Sequence, residues 1–176
     1  MDILTFIIKT ENLLLVSISM EYKEDIFREL NREIATYMYP KPYENVEETV
    51  PFIQESMQTN KEGTNLQLVA LDRGDNTFLG CAGIHNIDTV TPEFGIWIKK
   101  SAHGNSYGKE AIFALKKWAD ENLDFEYLLY PVAKENFASK RIPELLGGKV
   151  VREYFETNMS GNLLHILEYR IYPDSK

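Results

Sequence analysis

Cysteine is nearly absent from this chain: Cys81 stands alone among 176 residues. One thiol closes no intrachain disulfide, which suits a reducing compartment. Cys81 sits in the apolar run 78–87, where a thiol packs as a small hydrophobe. Long apolar runs are missing as well, and none reaches the ~20 residues that a bilayer-spanning helix requires. The start, Met1-Asp2-Ile3-Leu4-Thr5-Phe6-Ile7-Ile8-Lys9, lacks the basic opening and small-residue cleavage site of a secretion signal. These absences set the expectation of a cytoplasmic protein that does not engage membranes. Basic residues are in deficit, 19 Lys and Arg against 27 Asp and Glu, a net charge of −8. An acidic surface repels a phosphate backbone, so nucleic acid is not expected as a partner. It suits a cationic one, such as an amine or a basic peptide end, although surplus acid also serves solubility. Histidine occurs three times. His85 and His165 lie in separate predicted strands without metal-ligand spacing, so structural roles and no metal are expected. No serine, histidine and acid triad or activated cysteine is apparent.

What the chain does have is a globular composition, 44% hydrophobic, at a length that suits one domain over 1–176. Short apolar runs predict strands at 13–18, 65–71, 77–87, 94–98, 127–132, 149–156 and 163–172. Helical spacing places Ile26, Phe27, Leu30 and Ile34 on one face of a helix over 21–38, ended by Pro40 and Pro42. Asn45 is a candidate N-cap for a second helix with Val46, Val50, Ile53 and Met57 as its stripe. A third helix, 107–122, would bury Ala111, Ile112, Leu115, Trp118 and Ala119. A fourth, 137–146, would stop at Gly147-Gly148. Seven strands and four helices in this order predict a single mixed domain of the α+β class.

The most informative stretch runs from Glu93 to Leu115. The strand Glu93-Phe94-Gly95-Ile96-Trp97-Ile98 leads through Lys99-Lys100-Ser101-Ala102 into His103-Gly104-Asn105-Ser106-Tyr107-Gly108, and then into an amphipathic helix beginning at Lys109 and Glu110. A small polar turn that opens a helix aims several backbone N–H groups and the positive end of the helix dipole at one spot, where an anion can sit. It is not a P-loop, because no Gly-Lys-Ser/Thr follows, and it lacks the three spaced glycines of a dinucleotide fingerprint.

A second element, Asn136-Phe137-Ala138-Ser139-Lys140-Arg141 ending in Glu144-Leu145-Leu146-Gly147, completes a pattern. Together the two resemble the GNAT acetyltransferase superfamily. There, a strand enters a loop of the form Gln/Arg-x-x-Gly-x-Gly/Ala, and the following strand enters a helix carrying Asn-x-x-Ser and ending in Leu-Gly-Phe. The resemblance runs over 10–172. It is greatest to the Rim-type branch, which acetylates N-terminal amines of ribosomal proteins. Glu11-Asn12-Leu13-Leu14-Leu15, Ile34-Ala35-Thr36-Tyr37-Met38 and Gly83-Ile84-His85-Asn86-Ile87 match it too. Departures are His103 for Gln or Arg, Ser106 for the middle glycine, Gly148 for phenylalanine, and Pro143 inside the last helix, where it should kink the chain. A positive φ at Ser106 would cost about 1 kcal/mol; a position that needs only a small residue would cost nothing.

The resemblance implies a central, mostly antiparallel sheet whose fourth and fifth strands splay apart to hold acetyl-CoA as co-substrate, with no metal. It implies cofactor contacts from the strand backbone at Ile96, Trp97 and Ile98, and from His103, Gly104, Asn105, Ser106, Tyr107, Gly108, Lys109 and Asn136. It implies Glu93 as general base, Ser139 as proton donor to the leaving thiolate, and Asn136 as an orienting residue; the plain alternatives are a surface carboxylate, a helix serine and an N-cap. Tyr37 and Tyr39, with Glu93, would meet the acceptor. Met38, Tyr43, Glu44, Glu47 and Glu48 lie where the family builds its acceptor wall. The expected activity is direct acetyl transfer in a ternary complex to a peptide N-terminal α-amine, by a monomer or homodimer. A small-amine acetyltransferase and a non-catalytic acyl-CoA-binding module stay open.

Overall fold

The computed structural model describes residues 5–174, so residues 1–4 of the N-terminal segment read above lie outside it. Among these residues eight strands form one sheet: β1 (Ile7–Lys9), β2 (Leu13–Ser17), β3 (Leu66–Asp72), β4 (Phe78–His85), β5 (Glu93–Ile98), β6 (Leu128–Ala133), β7 (Lys149–Thr157) and β8 (Leu163–Ile171). Their spatial order is β1-β2-β3-β4-β5-β6-β8-β7. Every neighbouring pair is antiparallel except β5 and β6. Among the described residues, five α-helices complete the fold: α1 (Lys23–Glu29), α2 (Arg32–Ala35), α3 (Thr49–Glu62), α4 (Tyr107–Asn122) and α5 (Phe137–Leu145).

The expected α+β architecture is present, with one more strand and one more helix than the sequence predicts. β1 has only three residues, too few to show a period of two. The helix expected over 21–38 is broken at Leu30, whose ψ of 66° leaves the helical region. The Asn31 side chain then accepts from the N–H groups of Glu33 and Ile34, each at 3.1 Å, and starts α2. Ile26, Leu30 and Ala35 are all buried across the break, so the apolar spacing concealed it. Asn45 does not cap α3. Its side chain donates to Glu48 (3.2 Å) at the head of the 3-10 turn Val46–Glu48, and α3 follows that turn.

Strands buried on both faces read as continuous apolar runs, and β3 is one. Leu66, Leu68 and Ala70 face a core shared with Ala111, Ile112, Leu115 and Trp118 of α4. Val69 and Leu71 face the opposite core, with Ile26 of α1 and Ile53 of α3. Cys81 lies in this second core, where burial pushes its thiol pKa up. α5 runs through the buried Pro143 and ends in a Schellman motif. Gly147 (φ 74°) donates to Glu144 (3.1 Å) and Gly148 to Pro143 (2.8 Å).

Candidate active site

The site begins where the sheet comes apart. β4 pairs with all of β5, from His85 opposite Glu93 to Gly80 opposite Ile98. β5 and β6 share only the pair Glu93–Leu129, beside which the Leu129 N–H donates to the Pro92 carbonyl (2.8 Å). Beyond that point β6 pairs with β8 alone. Alternation along the strands decides which backbone groups face the gap. The Trp97 carbonyl points at Gly80 of β4, and the Lys99 N–H donates to Leu79 of β4 (2.7 Å). Ile96 therefore turns its N–H and carbonyl to the gap. The expectation that Trp97 shares this role needs correction: its backbone faces β4 and its ring packs on Phe78 (centroids 5.8 Å apart). The Ile98 carbonyl also faces away from β4 and lies 2.7 Å from His103 Nε2.

On the other side of the gap, Leu129 directs its N–H to β5 and Lys134 directs its own to His165 of β8 (2.8 Å). The same alternation places the nitrogen of Pro131 on the gap side. Proline carries no N–H, so the rung that would close the gap there lacks its donor, while the ladder to β8 loses nothing. A proline in a central strand is unusual; here it sits on an internal edge.

β5 continues through the 3-10 turn Lys100–Ala102 to the loop before α4. The N–H groups of Ala102 and His103 are used within the turn, and the first bond of α4 runs from Glu110 to the Ser106 carbonyl (3.0 Å). Among the described residues, the N–H groups of Gly104, Asn105, Ser106, Tyr107, Gly108 and Lys109 donate to no acceptor of the chain. Six free donors at the positive end of a 16-residue helix fit a diphosphate. The side chains of His103 and Asn105 brace this loop instead: Asn105 donates to the Ala102 carbonyl (3.1 Å), and the His103 ring meets Ile98. Lys109 is exposed on the first turn.

Gly104 (φ 86°) and Ser106 (φ 61°) both adopt the left-handed conformation, and the Ser106 hydroxyl makes no capping bond. Serine is therefore strained where glycine would be at ease. Ser106→Gly is expected to stabilise the protein by about 1 kcal/mol and to raise its melting temperature by about 2–4 °C, as read by thermal unfolding. A lower melting temperature would show that serine makes a contribution that the backbone geometry does not reveal.

The gap opens into a cleft of about 540 Å³ that brings together Tyr37, Tyr39, Glu93, Ile96, Asn136 and Ser139, predicted from sequence, with Tyr130, Tyr154 and Glu156, which were not. Glu93 is half-buried, and its pKa is raised, first by burial and then by the charges of Glu168 and Glu156. Its cross-strand partner His85 has a pKa lowered by burial, which disfavours the imidazolium that could neutralise Glu93. Asn136 is the N-cap of α5, accepting from the Ser139 N–H (3.3 Å). Ser139 Oγ lies 2.8 Å from the hydroxyl of Tyr130. Burial pushes the Tyr130 pKa up to about 12.

The chain from Tyr37 to Pro40 forms the outer wall of the cleft and is held by the β7–β8 turn. Buried Asn158 donates to the Met38 carbonyl (3.0 Å), and the Met159 N–H donates to Tyr39 (2.9 Å). The other expected wall residues do not line this cleft. Tyr43 packs against the core of α1 and α3, the Glu48 side chain accepts from the Glu44 N–H (2.9 Å), the Glu44 side chain pairs with Lys41 (3.4 Å), and Glu47 pairs with Lys23 (3.5 Å). The acid in the cleft comes from Glu93 and Glu156. Among the described residues no group of three or more His, Cys, Asp or Glu side chains could hold a metal, and no helix is long and apolar enough to cross a membrane.

Residues 12–149 match the family model described as the acetyltransferase (GNAT) domain. The chain belongs to the GNAT acetyltransferase family. It is therefore an acetyl-CoA-dependent acetyltransferase. Solved structures with the same GNAT fold include RimL, a ribosomal L7/L12 α-N-protein acetyltransferase in complex with coenzyme A (14% identity, TM-score 0.85, 97% of this chain and 100% of that one). Another is the ribosomal-protein-S5-alanine acetyltransferase of Vibrio fischeri (14%, 0.83, 97% and 98%). A third is the microcin C7 self-immunity acetyltransferase MccE with acetyl-CoA and AMP (17%, 0.80, 93% and 93%). No curated protein sequence matches the chain.

Two departures from the GNAT motifs now have local reasons. A side chain at Gly148 would place its Cβ 2.8 Å from the Pro143 carbonyl and 3.0 Å from Ile171, so the family's phenylalanine does not fit this helix end. His103 supplies a ring nitrogen to the open end of β5, which ties the GNAT loop to the strand that the cofactor would follow. Sequence reading missed Tyr130, Pro131 and Asn158. Only Pro131 carried a visible signal, a proline inside an apolar strand.

Proposed function

We propose that the protein, as one domain over 1–176, transfers the acetyl group of acetyl-CoA to the N-terminal α-amine of a peptide or protein, by direct attack in a ternary complex. One observation carries this reading: the sheet opens immediately after the Glu93–Leu129 pair, so the last closed rung sets Glu93 beside the gap and across one cleft from Ser139. Acetyl-CoA supplies the activated thioester. The free N–H groups of 104–109 would hold its diphosphate, with charge-assisted bonds about twice as strong as neutral ones. The Ile96 N–H faces the position where charge develops on the carbonyl oxygen. Glu93, directly or through water, takes the proton of the attacking amine, and its raised pKa suits that task. Ser139 donates to the departing sulfur.

The acceptor class follows from acid–base matching. Deprotonating an α-amine of pKa near 7.8 costs ~1 kcal/mol at pH 7, against ~4.6 kcal/mol for a lysine near 10.4. A carboxylate is the better partner for the first. Exposed Tyr37 and Tyr39, with Glu156, offer an aromatic and acidic rim that suits a cation. The shared fold with enzymes named as ribosomal-protein acetyltransferases supports the same choice. Release of coenzyme A thiol should be followed with peptides bearing free or blocked N-termini beside a panel of polyamines and amino sugars. Turnover confined to free N-terminal peptides is expected. Turnover of small amines alone would replace this acceptor.

A further inference from the structure

Tyr130 is a buried phenol that the mechanism above does not use. It is 2% exposed, on β6, with its ring against Phe94 (centroids 6.2 Å apart), and its hydroxyl has one partner, Ser139 Oγ at 2.8 Å. Either oxygen could be the donor by geometry alone. Donor accounting separates the two cases. A hydroxyl has one hydrogen to give and can also accept, and a buried hydrogen without an acceptor is costly. If Ser139 donated to Tyr130, the unpaired hydrogen would be the phenolic one, on a residue only 2% exposed. If Tyr130 donates to Ser139, the serine hydrogen is left instead, and Ser139 is only half-buried and lines the cleft. The second arrangement leaves the unpaired hydrogen on the more exposed of the two hydroxyls.

We infer that Tyr130 is a positioning residue that fixes the polarity of Ser139, occupying the serine's acceptor side so that its own O–H points into the cleft as a donor. This rests on the reading of Ser139 as the group that serves the departing sulfur. Serine by itself rotates freely and has no preferred direction. Donation from Tyr130 removes the orientation that turns the Ser139 hydrogen back toward β6, and polarises the serine O–H that remains. The phenol keeps its own proton throughout, as a pKa of about 12 requires near neutral pH. The amine nitrogen bonds the acetyl carbon and gives a proton to Glu93, the carbon–sulfur bond breaks with its electron pair going to sulfur, Ser139 gives its proton to the sulfur and regains one from water, and Glu93 returns its proton to water. Asn136 completes the arrangement by holding the first turn of α5 through the Ser139 N–H.

The test compares Tyr130→Phe, Ser139→Ala and the double variant on the whole protein, with acetyl-CoA and an accepted amine. Tyr130→Phe is expected to keep its affinity for coenzyme A and its KM for acetyl-CoA while kcat falls about tenfold. The double variant should be no slower than Ser139→Ala alone, because the phenol acts only through the serine. A tyrosine that merely filled space would leave kcat and KM of Tyr130→Phe at wild-type values, because phenylalanine keeps the ring. Wild-type kcat in Tyr130→Phe, or additive losses in the double variant, would overturn the inference and leave the Ser139 assignment standing. Wild-type kcat in Ser139→Ala would remove that assignment and this inference with it. Should Tyr130→Phe fold poorly, kcat and KM are read on its folded fraction at a temperature well below unfolding, where the same loss in kcat at unchanged KM is expected and wild-type kcat overturns the inference.

Discussion

Replacing Glu93 by glutamine should lower kcat/KM by about 10²-fold or more while coenzyme A still binds, as measured by calorimetry and by thiol release. Glutamine keeps the size and polarity of the side chain and removes only its ability to accept a proton. Glu93 also lies outside the diphosphate cradle at 104–109, so cofactor affinity should survive. The wild-type pH profile offers an independent check. Burial and the charges of Glu168 and Glu156 raise the Glu93 pKa, and a base works only when ionised. The rate should therefore rise with pH through a value above the ordinary carboxylate range, and this limb should be absent in the variant. Stability should move the opposite way. An acid whose pKa is higher in the fold than in the unfolded chain contributes stability below the unfolded value, near 4.3, and loses it as pH rises through the folded value. Glu93→Gln should consequently melt higher than the wild type near pH 7, with the advantage gone near pH 4. Wild-type turnover in the variant would remove Glu93 from the chemistry. Unchanged stability at both pH values would mean that its burial is relieved by water.

Much of this arrangement was legible in the residues. The helix 107–122 was readable to its ends, because its apolar stripe is uninterrupted and a small polar turn precedes it. The clustering of Glu93, Asn136 and Ser139 was legible through the resemblance to the GNAT family, which implies all three at one site, and not from their spacing. Three kinds of information were not legible. The break at Leu30 left the helical spacing of apolar residues intact. The choice between Ile96 and Trp97 depends on which side of β5 is paired, a property of register that the sequence of one strand does not carry. The clamp from Asn158 to Met38 joins residues 120 positions apart, and an asparagine in a hairpin turn announces only the turn. The acidic wall expected from Glu44, Glu47 and Glu48 went astray for a related reason: Lys41 takes Glu44, the turn before α3 takes up Glu48, and Lys23 takes Glu47.

The register of β5 can itself be broken by one methyl group. Ala70 pairs with Gly80 but Leu71 pairs with Phe78, so Leu79 is an extra residue that bulges β4. The bulge sends the Leu79 carbonyl to Lys99 and lets the Trp97 carbonyl press against the bare α-carbon of Gly80. A Cβ at Gly80 would lie 2.9 Å from Ile98 Cα and nearer still to the Trp97 carbonyl. Both are backbone atoms, so neither can rotate aside. Gly80→Ala should therefore cost about 3 kcal/mol or more, the upper end of overpacking effects, and lower the melting temperature by about 6–12 °C. The functional consequence goes further than the stability. β5 could relieve the clash only by moving away from β4, toward the gap, and this would displace Ile96 and Glu93 together. Activity of the folded fraction should fall at temperatures well below unfolding, and coenzyme A should bind more weakly because the 103–108 loop is tied to Ile98 through His103. Ala111→Gly in α4, a change of similar size in the core that Ala70 and Ile98 share, should lower stability while the folded protein retains full activity. If Gly80→Ala melts within about 2 °C of the wild type, β4 and β5 are not locked by this contact, and the gap-facing role of Ile96 loses its structural basis.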